Sequence, residues 1–346
     1  MVAQRDINII LENPIDWECF RDKTVLVTGA TGRLGMYFAE AFCKADLEWN
    51  LNMNIVLLAR SREKLKKVFG STLDFPNVHI CVQDIIEPIT LDCEVDYIFH
   101  TAGIASPMDF THTPVDTLWG HVAGTHQVME LARQKKSKRV FYVSTVEIYG
   151  DWQSEELIKE SNMGPIECNK SRACYPEAKR LCETMLAAYE AQYGIEYVGA
   201  RLCHTFGPGI SLNDGRAFSE FLKDVVEGND IILQSDGSAM RTYTYVADAV
   251  GAMLLAFTKG KNKEYYNVAA LDNLISIRDL AKLIAGLDPK NKVQVRYAQP
   301  ECGKLQYLPF HLAIMNVDKI KALGWVQRVN LEDAFRYTLE SFLQRN

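Results

Sequence analysis

The run Thr24-Val25-Leu26-Val27-Thr28-Gly29-Ala30-Thr31-Gly32-Arg33-Leu34-Gly35 decides how this chain is read. Its first five residues, β-branched or aliphatic, predict a strand covered on both faces. Glycines at 29, 32 and 35 follow at once, and residues 33–44 carry the apolar spacing of a helix. A strand that turns on glycines into a helix N-terminus offers free N–H groups and the positive end of a helix dipole. Such a turn suits a diphosphate, because glycines allow the tight turn, close backbone approach and close packing of helix on sheet. The spacing Gly-x-x-Gly-x-x-Gly is one residue wider in its first step than the dehydrogenase fingerprint. Gly29, Thr31, Gly32, Arg33, Leu34 and Gly35 are therefore expected to bind a dinucleotide.

The end of the second strand discriminates between dinucleotides: a carboxylate there binds a ribose 2′-hydroxyl, whereas an arginine accommodates a 2′-phosphate. Residues 54–59 form that strand, which ends Leu58-Ala59-Arg60-Ser61-Arg62 with no acid. NAD(P) is the cofactor expected, and Arg60 and Arg62 lean the reading toward NADP. The alternative for both is stacking on adenine or plain solvation. After a third strand at 78–82, Asp84 and Ile85 are placed to meet the adenine ring, although Asp84 could equally cap a turn.

Outward from this turn the pattern repeats. Further strands are expected at 95–100, 139–144 and 197–201, with helices at 62–69, 115–134 and 174–193. Continuous apolar strands separated by helices predict an α/β fold, a Rossmann-type doubly wound parallel sheet. After Phe206 turn chemistry takes over, as in Gly207-Pro208-Gly209 and Asn213-Asp214-Gly215, and helices are expected at 277–287 and 331–343. The organisation expected is an N-terminal appendage over 1–20 and a dinucleotide-binding domain over 21–205, to which 246–272 returns. Residues 206–245 and 273–346 make a smaller C-terminal substrate-binding lobe, leaving a cleft between the two parts.

Composition narrows the function. A chain of 346 residues allows two domains, at roughly 150 residues each. Hydrophobic residues at 48% and charged residues at 24% exclude disorder and fibrous repeats. Lys+Arg 38 against Asp+Glu 44 gives −6 without a basic run, which argues against a nucleic-acid partner. No apolar stretch is long enough for a bilayer and the N-terminus lacks a signal-peptide core, so a cytoplasmic chain without a membrane partner is expected. Nine cysteines, an odd number with no Cys-x-x-Cys pair, predict neither a disulfide framework nor a zinc site. No metal is expected.

Tyr175-Pro176-Glu177-Ala178-Lys179 sets a tyrosine and a lysine at i and i+4, on one helix face. An ammonium beside a phenol favours the phenolate, so Tyr175 is read as a base near neutral pH, with Lys179 also reaching the nicotinamide ribose. Val143-Ser144-Thr145 ends a strand about 30 residues earlier, and a hydroxyl there faces the same cleft. With these motifs assembled, the chain resembles the extended short-chain dehydrogenase/reductases, and among them the NAD-dependent epimerase/dehydratase family of nucleotide-sugar enzymes. The resemblance rests on residues 28–35, His100-Thr101-Ala102-Gly103, and residues 144–150, 175–179, 201–208 and 241–248. It implies a catalytic set of Thr145, Tyr175 and Lys179, dinucleotide contacts at Thr101, Ala102 and Gly103, and a nucleoside-diphosphate sugar as substrate. It also implies a tightly bound dinucleotide, usually NAD, where Arg60 and Arg62 favour NADP.

Within that family the texture is most similar to the UDP-glucuronate decarboxylases, through Ala105-Ser106-Pro107, Asp214-Gly215-Arg216, and Ser235-Asp236-Gly237-Ser238 ahead of Arg241. Those enzymes oxidise the sugar at C4, lose carbon dioxide from the β-keto acid and return the hydride. The resemblance implies substrate contacts at Ser106, His204, Arg216 and Arg241, the two guanidinium groups being matched to a diphosphate. Dehydratases carry acids after the threonine. Here Val146 makes the first of those positions apolar, and Glu147 remains as second acid/base, or as a carboxylate satisfied by neighbouring hydroxyls. His121 and His204 stand where asparagine is usual. Leu308-Pro309-Phe310-His311-Leu312 replaces the arginine-bearing run ahead of Leu323-Gly324-Trp325. A 4-epimerase and a 4,6-dehydratase therefore stay open beside the decarboxylase. A non-catalytic dinucleotide sensor, which generally lacks the tyrosine or the lysine, is the remote alternative. Val122, Met129, Leu181, Met185 and Tyr189 put apolar residues on more than one face of helices 115–134 and 174–193. The family pairs these helices in a four-helix bundle, which implies a C2 homodimer.

Overall fold

The computed structural model describes residues 2–298 and 314–343. Its strands in chain order are β1 (Thr24–Thr28), β2 (Asn54–Ala59), β3 (Val78–Val82), β4 (Tyr97–His100), β5 (Arg139–Thr145), β6 (Glu196–Leu202), β7 (His204–Phe206), β8 (Ile231–Leu233), β9 (Met240–Tyr245), β10 (Glu264–Val268), β11 (Leu274–Ser276) and β12 (Val295–Tyr297). Seven of them form one sheet in the order β3-β2-β1-β4-β5-β6-β10, each neighbouring pair parallel. From β1 the chain winds outward through β2 and β3, then restarts on the other side of β1 at β4. A crevice therefore opens where the carboxyl ends of β1 and β4 diverge. Beside it stand a sheet of β7, β9 and β11 and the parallel pair β8–β12, drawn from the part of the chain expected to form the smaller lobe.

The helices are α1 (Gln4–Leu11), α2 (Arg33–Trp49), α3 (Arg62–Phe69), α4 (Pro107–His112), α5 (Pro114–Lys135), α6 (Cys174–Tyr193), α7 (Ala217–Glu227), α8 (Val246–Lys259), α9 (Ile277–Gly286), α10 (Asp318–Lys321) and α11 (Leu331–Leu343). Alternation along the strands sorts their side chains into two layers. Val25, Val27, Ile55 and Leu57 pack with Phe38 and Phe42 of α2 and with Leu254 and Phe257 of α8. Leu26, Val56 and Leu58 face the other way, onto Val128 and Met129 of α5 and Cys182 and Leu186 of α6. Met129 is thus buried against the sheet, while Leu181 is exposed. Among the described residues no helix is long and apolar enough to cross a membrane.

Residues 1–20 read as an appendage in the sequence, but the structure folds α1 into the core. Ile7 and Ile10 are buried, and so is the Asp6 carboxylate. Asp6 accepts hydrogen bonds from the hydroxyls of Tyr37 (2.7 Å) and Tyr245 (2.9 Å), and Arg5 pairs with it at 3.0 Å while lying over the ring of Tyr337. One buried acid thereby ties α1 to α2 and β9, and the neighbouring arginine reaches α11. A buried charge held by hydroxyls and a cation leaves no trace in hydrophobic periodicity, which is why the sequence hides it.

Candidate active site

The turn after β1 is built to be narrow. Gly29 has φ +65°, and a Cβ there would lie 2.7 Å from the Cα of Ala102, so this turn and the loop after β4 pack backbone to backbone. Thr101 Oγ1 donates to the Thr28 carbonyl (2.7 Å), and the Ala102 N–H donates to Thr28 Oγ1 (3.3 Å). His100 lies between the hydroxyls of Thr28 (2.9 Å) and Thr125 (3.1 Å), and burial holds it down to about 3, hence neutral. A Cβ on Gly35 would meet the Gly29 carbonyl oxygen at 2.4 Å. Gly32 occupies the N-cap of α2, and no side chain caps that end. Uncapped N–H groups at the carboxyl edge of a parallel sheet fit an anionic diphosphate, so this cradle fits the dinucleotide read from the motif.

The residues assigned to the adenosine end follow β2 and β3. Arg60 and Arg62 are exposed, and Ser61 between them caps α3 by accepting from the Lys64 N–H (3.1 Å). Asp84 accepts from the Ile86 N–H (3.3 Å), the turn-capping alternative, and Ile85 packs on Gly124.

A cavity of about 360 Å³ opens beside the glycine turn. Thr145, Glu147, Tyr175, His204, Arg216, Arg33 and Leu34 line it, together with Phe110, Arg172 and Cys203. Ser106 and Arg241 are not part of this lining, although their neighbours Ala105 and Pro107 are. Arg241 donates to the carbonyl of Met240 (2.7 Å). His311 lies outside the described residues, as does the segment 308–312.

Two devices hold the reactive side chains in place. Ser144, next to Thr145, donates to Glu183 (2.6 Å), and Arg201 grips both carboxylate oxygens of Glu183 (3.1 and 2.7 Å). This buried network locks α6 against the end of β5, one turn beyond Lys179. Tyr175 lies in the first turn of α6, where Pro176 costs no hydrogen bond. Its ring stacks on Phe110 (4.3 Å between centroids, 14°) and lies tilted against His121 (5.4 Å, 59°). His121 itself lies 2.8 Å from the Ile104 carbonyl, is held well below its usual range by burial and Lys179, and fills the space over Gly103. It is an interior support for the loop after β4.

The electrostatics differ from the sequence expectation. Burial pushes the Tyr175 phenol up to about 12, and the negative charge of Glu147 pushes the same way. The opposing influences are the Thr145 hydroxyl and the guanidinium groups of Arg216 and Arg172. Lys179 is not among them. Its Nζ donates to the Val143 carbonyl (2.8 Å) over the ring of Tyr142, and burial brings it down to about 8. Glu147 is raised by burial and lowered by Arg172, which donates to both its oxygens (3.0 and 2.8 Å). Its partner is a cation, not neighbouring hydroxyls. Burial, with help from Arg216 and Arg241, keeps His204 neutral, at about 3.

Residues 25–269 match the NAD dependent epimerase/dehydratase family. The chain belongs to that family. Across 337 residues it is 29% identical to UDP-glucuronic acid decarboxylase 3 of Arabidopsis thaliana, covering 94% of this chain and 91% of the relative. It is 27% identical to UDP-glucuronic acid decarboxylase 1 of Danio rerio, covering 92% and 72%. Among solved structures, UDP-glucose 4-epimerase of Thermotoga maritima superposes with a TM-score of 0.76 at 23% identity, over 93% of this chain and 99% of that one. A dTDP-glucose 4,6-dehydratase of Streptomyces venezuelae with NAD bound gives 0.74 at 21%, over 93% and 97%. At these identities the structural likeness carries the fold. In this epimerase/dehydratase-family chain Arg172, Phe110 and Cys203 line the cavity without having been expected there. Arg172 lies in the 3-10 turn Ser171–Ala173 that leads into α6, three residues before Tyr175.

Proposed function

We propose that this chain modifies a nucleoside-diphosphate sugar, transiently oxidising the sugar hydroxyl at C4 with bound NAD(P), in the manner of a UDP-glucuronate decarboxylase. The observation that carries the reading is the cavity in which Thr145, Tyr175 and Glu147 meet beside the glycine turn. The backbone of Gly29, Thr31, Gly32, Arg33, Leu34 and Gly35 would hold the dinucleotide diphosphate, Thr101, Ala102 and Gly103 its middle, Asp84 and Ile85 its adenine, and Lys179 a ribose. When bound, the nicotinamide supplies the place to which a hydride goes and from which it returns.

Thr145 orients the substrate oxygen, and Tyr175 takes its proton. A phenol held near 12 takes up a proton readily once ionised but ionises reluctantly. Arg172 and Arg216 lower that cost, because their charge favours the phenolate. Glu147, steadied by Arg172, is the second acid/base. Val146 leaves no acid at the first dehydratase position, which weighs against elimination. Arg172 stands in the cavity as the cation that a sugar carboxylate would meet, the task for which the 308–312 segment offers no arginine. Arg216 and Arg241 serve the diphosphate, and His204 and Ser106 the sugar. At the end of β2, two guanidinium groups and no acid favour a 2′-phosphate. Exposed Val115 (76%), Trp119 (57%) and Leu181 (49%) on α5 and α6 support a homodimer through these helices.

The test is a panel of UDP-, dTDP-, CDP- and GDP-sugars followed by product mass. Loss of carbon dioxide is expected on a uronate. Loss of water or an unchanged mass would move the chain to the dehydratases or epimerases, and no turnover on any donor would refute the reading.

A further inference from the structure

Arg33 is a half-buried cation that the fold does not neutralise. It is the first residue of α2, where the helix dipole already presents positive charge. Its side chain reaches across to β7, where Nη2 donates to the Thr205 carbonyl (2.7 Å). Its Nε is fully buried and has no hydrogen-bond partner among the described residues. The acid that acts on it, Asp214, is already held by Arg216 at 2.6 Å. The two guanidinium groups line one cavity and oppose each other, and burial together with that repulsion brings Arg33 down to about 10. Arg33 gives a donor to Thr205, and Arg216 gives one to the Ala105 carbonyl (2.7 Å). Each guanidinium has five donors, so both keep others for a ligand. A cation partly desolvated in this position, with its Nε left unpaired, is costly until an anion arrives.

That anion need not be the dinucleotide, whose diphosphate is served by the backbone of the same turn. The side chain points instead toward the strand that carries His204 and toward Arg216 of the smaller lobe. We infer that Arg33 and Arg216 together seat the diphosphate of the nucleotide sugar, clamping the smaller lobe to the glycine turn. This rests on the nucleotide-sugar reading above. Binding then relieves a repulsion already present in the fold, and the clamp couples substrate capture to the position of the turn.

The experiment uses the protein as purified with its retained dinucleotide, titrated calorimetrically with UDP, dTDP, CDP and GDP. Wild type should bind at least one of them, and Arg33→Met should weaken that one by roughly 10- to 100-fold, the loss of one charge-assisted contact. The corresponding nucleoside should bind both proteins alike, and the dinucleotide released on denaturation should be undiminished. With no nucleoside diphosphate added, Arg33→Met should melt at a higher temperature than wild type. A lower melting temperature would show that the cation stabilises the fold, and would overturn the argument. Equal affinity in both proteins overturns the clamp. So does loss of dinucleotide with unchanged nucleoside-diphosphate binding, which puts the guanidinium on the other diphosphate. Wild type binding none of the four overturns the nucleotide-sugar reading itself and the clamp with it. Should Arg33→Met not fold, Arg33→Lys replaces it, with a smaller loss expected and no loss overturning the clamp.

Discussion

Lys179→Met should make the folded protein more stable near neutral pH, although it removes a residue of the candidate catalytic set. The side chain is buried, and its value falls from 10.5 to about 8 because burial disfavours the ammonium. At about 1.4 kcal/mol for each tenfold, the charged form costs the fold roughly 3 kcal/mol. Methionine has a similar length and no charge, but it leaves the Val143 carbonyl without its donor, a loss of about 1 kcal/mol. The net gain expected at pH 7 is therefore about 2 kcal/mol. The sign with pH follows from proton binding. Between about 8 and 10.5 the unfolded chain holds this proton and the folded one does not, so wild-type stability rises across that window. The advantage of Lys179→Met is largest below about 8 and is lost by about 10.5. Urea unfolding of both proteins, stripped of dinucleotide, at neutral pH and near pH 10 measures it. A variant less stable than wild type at neutral pH, or a difference that does not change with pH, would refute the reasoning.

Tyr175→Phe should lower turnover by roughly 10²- to 10⁴-fold while dinucleotide retention, read by mass after denaturation, stays as in wild type. Arg172→Met should weaken uronate donors selectively and leave donors without a carboxylate less affected, seen in KM across the panel. Asp6→Ala strands the hydroxyls of Tyr37 and Tyr245 and should cost roughly 2–5 kcal/mol in urea unfolding. Trp119→Glu should shift the mass in light scattering from dimer to monomer. Mass identification of the dinucleotide released from wild type should give NADP, and NAD alone would show that Arg60 and Arg62 do not read the ribose.

The sheet was legible because its signals are local. Strands over 24–28, 54–59 and 78–82 and helices over 174–193 and 331–343 coincide with the elements observed, since a continuous apolar run, a helical repeat or a glycine turn needs no partner to be seen. The helix expected at 115–134 runs one residue further at each end, where Pro114 opens it and Lys136, in the left-handed region, closes it. The cavity was legible to the extent that motifs carry it, as with Thr145, Tyr175, His204 and Arg216. What stayed hidden depends on distant partners. Lys179 spaces correctly with Tyr175, yet its ammonium answers to Val143 and Tyr142. Glu147 finds Arg172, and Asp6 finds two tyrosines far along the chain. No spacing rule predicts an ion pair closed by tertiary folding.

The place of β10 bears on how this protein is made. The strand that completes the sheet comes only after the chain has visited the smaller lobe, and it pairs with β6 along residues 198–202. Until it has been synthesised, β6 presents an open ladder, although its apolar face, Val198, Ala200 and Leu202, can already be covered by α8, which precedes β10 in the chain. A nascent chain, or one cut at 205, therefore carries an edge ready to pair with any other strand. Assembly of the nucleotide-binding half is gated by translation of most of the polypeptide, and the interval before residue 268 emerges is when chaperone cover matters most.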